Sequence, residues 1–194
     1  MKRIIIGISG ASGAIYGIKA LQILQEDPEV ETHLIISRAA GLTIELETDW
    51  KVSQVRDLAY ASYSEKDIAA PPASGSFQTA GMLIAPCSIK TLSAVANSYA
   101  DNLLTRSADV QLKEGRPVVL MVRETPLHPG HIRLMSLAAA SGAVIFPPVP
   151  AFYGHPQSLD EVISSSVGRA LSRLGVANAE YPRWEGAGPG GSGD

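Results

Sequence analysis

The start of the chain constrains the fold more than any other segment. Ile4-Ile5-Ile6 leads into a turn of small residues, Gly7-Ile8-Ser9-Gly10-Ala11-Ser12-Gly13, and an apolar helical pattern begins at Ala14. This order predicts a buried strand, a tight turn and the first turn of a helix. Because N–H groups at a helix N-terminus attract anions, the turn is suited to bind a phosphate group.

The spacing of the glycines narrows the class of phosphate ligand. Gly7, Gly10 and Gly13 lie three residues apart and do not match the dinucleotide pattern G-x-G-x-x-G. No Gly-Lys-Ser/Thr follows, and the second predicted strand ends in Ser37-Arg38 rather than in an acid that could bind an adenosine ribose. An NAD(P)-linked reductase and a triphosphate-binding loop are disfavoured, while a turn that binds nothing stays an alternative.

Composition and charge limit the other classes of function. With 45% apolar and 18% charged residues in 194, the chain is expected to form one domain over residues 1–184, followed by a disordered glycine-rich tail at 185–194. A net charge of −3 argues against nucleic acid as a partner. We expect no targeting segment after Lys2-Arg3 and no membrane span, since no stretch approaches the roughly 20 apolar residues required. The single cysteine, Cys87, cannot form an internal disulfide, which fits a reducing cytoplasm.

Short apolar segments alternate with helical patterns along the chain. Strands are predicted at residues 3–8, 32–36, 82–85, 118–122 and 143–146. Helices are predicted at 14–26, 38–47, 89–96, 108–113, 131–141 and 159–174. The alternation predicts a doubly wound parallel sheet, a Rossmann-like α/β fold, with the ligand at the carboxyl ends of the strands. Segment 69–79 is rich in Pro, Ser and Gly and poor in charge, so we expect it to face a ligand or another subunit.

Ten short motifs occur in one order and together resemble those of a known family. They are Gly10-Ala11-Ser12-Gly13, Glu47-Thr48-Asp49, Ala73-Ser74-Gly75-Ser76, Pro86-Cys87-Ser88 with Thr91-Leu92, Ala108-Asp109-Val110 before Lys113-Glu114, Arg116-Pro117, Val122-Arg123-Glu124, Pro147-Pro148 before Phe152-Tyr153, Pro156-Gln157-Ser158 and Pro182-Arg183-Trp184. The series resembles the UbiX family, flavin prenyltransferases formerly described as aromatic acid decarboxylases. The resemblance implies a flavodoxin-like homo-oligomer, a dodecamer by the family pattern. It also implies transfer of a dimethylallyl group from dimethylallyl phosphate to reduced FMN, giving the prenylated cofactor of UbiD-type decarboxylases.

The resemblance assigns the FMN contacts to segments that follow predicted strands. They are Gly10, Ala11, Ser12, Ser37, Ser88, Ile89, Lys90, Thr91 and Arg123. FMN has one phosphate and no adenosine, which explains a phosphate turn without an acidic ribose ligand. The alternative is that Ser88 is an ordinary N-cap and that Lys90 points to solvent. By the same resemblance, Ser12 bonds the N5 region of the flavin and Glu47 acts near the flavin in a ring-closing step.

A second set of residues is implied for the allylic phosphate. When the allylic C–O bond breaks, phosphate leaves with growing negative charge, which cations and hydrogen bonds stabilise. The resemblance assigns Lys113 and Arg169 to this phosphate, or else they are solvated helix residues. It assigns Tyr153 as a hydroxyl donor and Glu124 as the residue that manages a proton on the leaving group. We expect Phe152 beside Tyr153 to lie in the core.

Trp184 and Arg106 each have two possible roles. Trp184 covers the prenyl group with an aromatic face, or else it anchors the C-terminal segment. The resemblance implies that Arg106 contacts a phosphate, or else Arg106 forms an ion pair with Asp101 or Asp109. The sequence by itself leaves both pairs of alternatives open.

The histidines and the cysteine of the chain do not indicate a metal site. We expect no metal site, because no Cys, His or acidic cluster completes a ligand set with His128 and His131. Cys87 is expected to act as a small apolar residue.

An FMN-dependent cysteine decarboxylase stays an alternative function, although residues 14–20 lack the histidine that such enzymes use. A flavin-binding module without activity is another, and it would not need the residues assigned to the allylic phosphate.

Overall fold

The computed structural model describes residues 1–184 and 186. The strands within them are β1 (Lys2–Ile8), β2 (Val30–Ile36), β3 (Ala61–Ser64), β4 (Gly81–Cys87), β5 (Val118–Val122) and β6 (Val144–Ile145). They form one sheet in the order β3-β2-β1-β4-β5-β6, and every neighbouring pair is parallel. All these strands therefore end at the same edge of the sheet. The doubly wound α/β fold expected from the sequence is confirmed.

Helices cover both faces of the sheet. They are α1 (Ala14–Gln25), α2 (Arg38–Glu47), α3 (Val52–Asp57), α4 (Ile89–Ala96), α5 (Leu103–Lys113), α6 (Pro129–Ala140) and α7 (Leu159–Ser172). Ile4 and Ile6 pack with α1, α2 and α7 on one face, whereas Ile5 packs with α4, α5 and α6 on the other. All three side chains are fully buried, and each such burial contributes about 1.5–3 kcal/mol. The isoleucine run therefore forms the centre of both cores.

Two elements between β2 and β4 were not predicted. Strand β3 lies at the sheet edge, and its short sequence Ala-Ser-Tyr-Ser has no apolar run, because its side chains are only partly buried or exposed. Helix α3 buries only Val55. Helix α5 begins at Leu103, before the predicted start at residue 108, because the Asn102 side chain caps it by accepting from the N–H of Thr105 at 3.1 Å. Backbone pairing and capping, rather than hydrophobic periodicity, decide the formation of β3 and the start of α5.

Phe152 is not in the core, contrary to the expectation. Its side chain is 72% exposed and belongs to a 3₁₀ turn, Phe152–Gly154, that follows the proline-rich segment 147–150. A short connecting turn outside the helix layers leaves its side chains on the surface. The expected tail at 185–194 lies outside the described residues except for Gly186. None of the helices in the described part of the chain is long and apolar enough to cross a bilayer.

A buried histidine lies beneath the segment 69–79. His33 on β2 is buried, its Nδ1 is 2.9 Å from the Tyr63 hydroxyl oxygen, and its ring meets Phe77 edge-on at 4.9 Å. Burial lowers the pKa of His33 below its ordinary value, although the Glu31 carboxylate acts in the opposite direction. As the pH falls, the unfolded chain therefore takes up this proton before the folded protein does.

The stability of the protein is expected to fall as the pH drops below about 6.5, the pKa of a histidine in an unfolded chain. The His33→Gln variant, which keeps a hydrogen-bonding side chain but does not titrate, should lose less stability between pH 7 and pH 5 than the parent protein. Urea unfolding at both pH values measures the difference. The exposed His155 provides the control, since His155→Asn should leave the pH dependence unchanged. Equal pH slopes for the parent and His33→Gln would contradict this role.

Candidate functional site

A cleft of about 1100 Å³ lies at the carboxyl ends of the strands. Its walls come from the turns after β1, β2, β3, β4 and β5 and from the start of α5. The lining residues are Gly10, Ser37, Arg38, Ala39, Leu42, Glu65, Ser88, Ile89, Lys90, Thr91, Ser93, Ala94, Asn97, Tyr99, Asp101, Asn102, Leu104, Thr105 and Glu124. The structure thus brings together at one edge the turns that hold Gly10, Ser37, Ser88 and Glu124, whereas the segment 147–150, which was expected at the same edge, does not line the cleft.

The conformation of the turn after β1 depends on two glycines, Gly10 and Gly13, and on a hydrogen bond to the carboxylate of Glu47. Gly13, the N-cap of α1, has a φ of +99°, a left-handed conformation that favours glycine. Its N–H donates to Glu47 Oε2 at 2.7 Å, so the end of α2 lies against the turn. Ala39 packs so closely on Gly10 that a Cβ at this position would collide with it. Glu47, which is far from this turn in sequence, therefore lies beside it, although Ala11, Ser12 and Glu47 are not among the residues that line the cleft.

The turn after β4 forms the second wall of the cleft. Ser88 is the N-cap of α4, and its Oγ accepts from the N–H of Thr91 at 3.3 Å and donates to the Thr91 hydroxyl oxygen at 3.1 Å. The Thr91 hydroxyl thus accepts from Ser88, and its own proton, which has no acceptor among the described residues, can donate to an anion. Ser37 caps α2 in the same way, accepting from the N–H of Ala40 at 3.1 Å. Ser88 is thus an N-cap and a cleft residue at once, so the two alternatives are compatible.

Arg123 and Glu124 follow β5 at the same edge. The N–H of Arg123 donates to the Cys87 carbonyl oxygen at 3.1 Å, which ties this turn to the end of β4. Burial raises the pKa of Tyr16 on α1, and the positive charge of Arg123 acts against that rise, so this charge lies near the first turn of α1. Glu124 lines the cleft, and its Oε1 accepts from the N–H of Thr125 at 3.0 Å.

Arg106 and Lys113 form a second group, away from the cleft. Both lie on α5 beside the segment 73–76: Arg106 Nε donates to the Ala73 carbonyl oxygen at 3.2 Å, and Lys113 lies beside Gly75. The guanidinium of Arg106 also pairs with Asp109 at 3.1 Å, so one of the two expected ion pairs is present. Because α5 runs from the cleft toward the amino end of β5, Lys113 lies at the opposite edge of the sheet. Its ammonium group lowers the pKa of Glu114.

Tyr153, Arg169 and Trp184 form a third group along the C-terminal segment. The Tyr153 hydroxyl donates to the Pro182 carbonyl oxygen at 3.1 Å, and its ring meets that of Trp184 edge-on at 5.8 Å. The guanidinium of Arg169 lies over the Tyr181 ring at 5.8 Å. Among the described residues, no side-chain hydrogen bond or ion pair joins this group or the α5 group to the cleft. One chain therefore carries the expected site residues as three separate groups.

Glu65 is a cleft residue that the sequence analysis missed. Its carboxylate accepts from the N–H of Arg38 at 2.9 Å, and its backbone carbonyl accepts from the N–H of Leu103 at 2.8 Å. It follows directly on β3, so prediction of that short edge strand is the signal that would have placed Glu65 at the carboxyl edge. Tyr99, Asp101 and the cap Asn102 were missed for a related reason, because the early start of α5 brings them into the cleft wall.

The histidines and the cysteine have local structural roles. His128 is the N-cap of α6, where its Nδ1 accepts from the N–H of Gly130 at 3.0 Å, and its ring stacks on His131 at 3.6 Å. Cys87 is fully buried, and burial raises the pKa of its thiol far above the usual value. Within residues 1–184 and 186, no group of three or more His, Cys, Asp or Glu side chains is placed to hold a metal ion.

Comparison with known proteins identifies the family. A family model described as Flavoprotein matches residues 1–169. The flavin prenyltransferase UbiX of Escherichia coli K12 is 59% identical over 189 residues, which are 96% of this chain and 100% of that protein. The chain belongs to the UbiX family of flavin prenyltransferases. The family, the use of FMN and the prenyltransferase activity expected from the sequence are thereby confirmed.

Solved structures of UbiX proteins share this fold closely. AnUbiX (PadA1) in complex with FMN and dimethylallyl pyrophosphate superposes with a TM-score of 0.92 at 47% identity, covering 96% of this chain and 98% of that chain. A dodecameric FMN-dependent UbiX-like decarboxylase from Escherichia coli O157:H7 superposes with a TM-score of 0.92 at 45% identity, covering 95% and 100%. The cysteine decarboxylase TvaF has a TM-score of 0.65 at 17% identity, which shows a common fold alone.

Proposed function

We propose that this UbiX-family chain transfers the dimethylallyl group of dimethylallyl phosphate to reduced FMN. The observation that carries the proposal is the cleft at the carboxyl edge, which combines the phosphate turn, the N-terminus of α4 and Glu124. Small-molecule sites have volumes of about 300–1,000 Å³. A cleft of about 1100 Å³ has room for a flavin together with a small second substrate.

The side chains and N–H groups of the cleft suit the phosphate of FMN. The first N–H groups of an α-helix have no partner within the helix, and those of α4 lie in the cleft wall beside the free hydroxyl proton of Thr91. Lys90, Arg38 and Arg123 supply positive charge near the same edge. Glu47, bound to the N–H of Gly13, and Ser12 are the residues of the first turn that orient the flavin.

In the proposed transfer, the flavin is the nucleophile and the phosphate is the leaving group, and different residues act on the phosphate. When bound, reduced FMN would supply the nucleophile that forms a bond to the allylic carbon. The C–O bond to phosphate would break at the same carbon, and inorganic phosphate would leave with the electron pair of that bond. Glu124 transfers a proton to that phosphate. Because the second pKa of a phosphate lies near 6, one proton lowers its charge from about −2 to about −1. Lys113, Arg106 and Arg169 stabilise the remaining negative charge, and Tyr153 donates a hydrogen bond to it.

The three residue groups form one site only in an assembly. We propose a homo-oligomer, a dodecamer like the Escherichia coli structure, in which neighbouring subunits bring the α5 group and the C-terminal group to each cleft. Tyr153 and Trp184 are 45% and 67% exposed in the isolated chain, which supports their use at a subunit contact. The segment 69–79, which lies along the α5 group, is then part of that contact, the second of the two alternatives expected for it, a ligand or another subunit.

The product and its place in the cell follow from the same proposal. The prenylated flavin passes to a UbiD-type decarboxylase, which uses it as cofactor. The protein acts in the cytoplasm, where a reducing environment suits both a reduced flavin and a chain whose single cysteine, Cys87, is buried and unpaired.

Anaerobic incubation tests the transfer. With reduced FMN and dimethylallyl phosphate, the flavin is expected to gain the mass of one dimethylallyl group while an equal amount of inorganic phosphate is released. The same reaction with dimethylallyl diphosphate establishes which donor is used. A folded protein that binds FMN but leaves the flavin mass unchanged with both donors would rule out the proposed activity.

A further inference from the structure

Ser9 carries a buried hydroxyl group where the turn after β1 meets the turn after β4. It follows directly on β1 and is 1% exposed. Its Oγ donates to the Pro86 carbonyl oxygen at 2.8 Å and accepts from the N–H of Ser88 at 2.8 Å. Burying a hydroxyl costs free energy unless it is hydrogen-bonded, and Ser9 uses both its donor and an acceptor position.

These bonds lie beyond the regular pairing of β1 with β4. The paired residues run from Ile4 with Gly81 to Gly7 with Ile84, and β4 is irregular between Ile84 and Cys87. The N–H of Ser9 also donates to the Pro86 carbonyl oxygen, at 3.2 Å. The backbone and side chain of Ser9 therefore connect the two turns where the strand pairing has ended.

The bond to Ser88 acts on the N-terminus of α4. The N–H of Ser88 donates to Ser9 Oγ. The Oγ of Ser88 is hydrogen-bonded to the hydroxyl and the N–H of Thr91. The next residues, Ile89 and Lys90, lie in the cleft wall, and their N–H groups have no partner within the helix. The position of these donors relative to Gly10 thus depends on the Ser9 hydroxyl.

We propose that Ser9 is a positioning residue for the flavin. Its hydroxyl holds the turn after β1 and the turn after β4 at the separation at which both contact one bound FMN. Ser9 reaches the ligand through Ser88 and the α4 N-terminus rather than by touching it. This inference rests on the proposed binding of FMN in the cleft.

The Ser9→Ala variant removes both side-chain hydrogen bonds. We expect its dissociation constant for FMN, measured by quenching of flavin fluorescence well below the unfolding temperature, to rise about tenfold. In steady-state assays the KM for FMN should rise while the KM for dimethylallyl phosphate stays unchanged. Ser9→Thr, which keeps the hydroxyl, should restore FMN affinity. Ser107→Ala is the matched control, since Ser107 is fully buried on α5 and its Oγ has no partner among the described residues.

The FMN affinities of the parent protein and of the Ser9 variants distinguish failure of the positioning role from failure of the proposed function. A parent protein that binds no FMN contradicts the proposed function itself. If the parent binds FMN and Ser9→Ala binds it within about twofold, the positioning role is wrong. Equal rises in both KM values show a general structural loss and also contradict it. If Ser9→Thr does not fold, Ser9→Cys replaces it, because a thiol is similar in size to a hydroxyl but forms only weak hydrogen bonds. The FMN affinity of Ser9→Cys should match that of Ser9→Ala. An FMN affinity equal to that of the parent protein would overturn the inference.

Discussion

The Glu124→Gln variant is expected to turn over about 100- to 10,000-fold more slowly than the parent protein, because a positioned proton-transfer group contributes that much to a rate. Glutamine keeps the size and polarity of the side chain and the acceptor for the N–H of Thr125, which Glu124 Oε1 binds at 3.0 Å. The cleft should therefore keep its shape, and FMN affinity should change little. Single-turnover release of phosphate under anaerobic conditions, together with an FMN titration, measures the two quantities separately.

The control for this variant is an acid of the same type outside the cleft. Glu26→Gln, at the exposed end of α1, should leave both turnover and FMN affinity unchanged. An equal loss of turnover and of FMN affinity in Glu124→Gln would reassign Glu124 from proton transfer to flavin binding. Unchanged turnover would remove it from the mechanism.

Two inactive variants are expected to regain activity when they assemble together. Lys113 lies at the opposite edge of the sheet from the cleft, so we propose that each cleft uses the Lys113 of a neighbouring subunit. Lys113→Ala and Glu124→Gln should each be nearly inactive alone. In mixed oligomers some clefts pair an intact Glu124 with an intact Lys113 from another chain, and random mixing predicts about a quarter of the parent activity.

Co-expression of the two variants with different affinity tags, followed by purification through both tags, provides the mixed oligomers. The control pairs Glu124→Gln with Arg123→Ala: both residues follow β5 in the same subunit, so no cleft in that mixture is intact. Recovery in the first mixture alone supports a shared site. Activity no higher than that of the separate variants would place Lys113 outside the site or show that a subunit uses its own copy.

The elements that could be predicted are those whose hydrophobic pattern is local and strong. Strand β1 and helix α2 were placed from short stretches of sequence, because burial of a continuous apolar run in β1 and of helically spaced side chains in α2 drives their formation. Strand β3 could not be predicted, because an edge strand is stabilised by backbone bonds to its neighbour and needs no apolar run. Its absence from the prediction also concealed Glu65. Phe152 was misplaced because aromatic character alone does not show whether a turn is covered.

The sequence by itself determined the turn after β1, the parallel sheet and the family, since these depend on residues adjacent in the chain and on the order of motifs along it. The tertiary structure alone decided which distant residues meet. It brought Glu47 to Gly13 and connected Ser9 to Ser88. It also left Lys113 and Arg169 outside the lining of the cleft of their own chain. Such distances depend on how helices pack across a sheet, which local patterns do not contain.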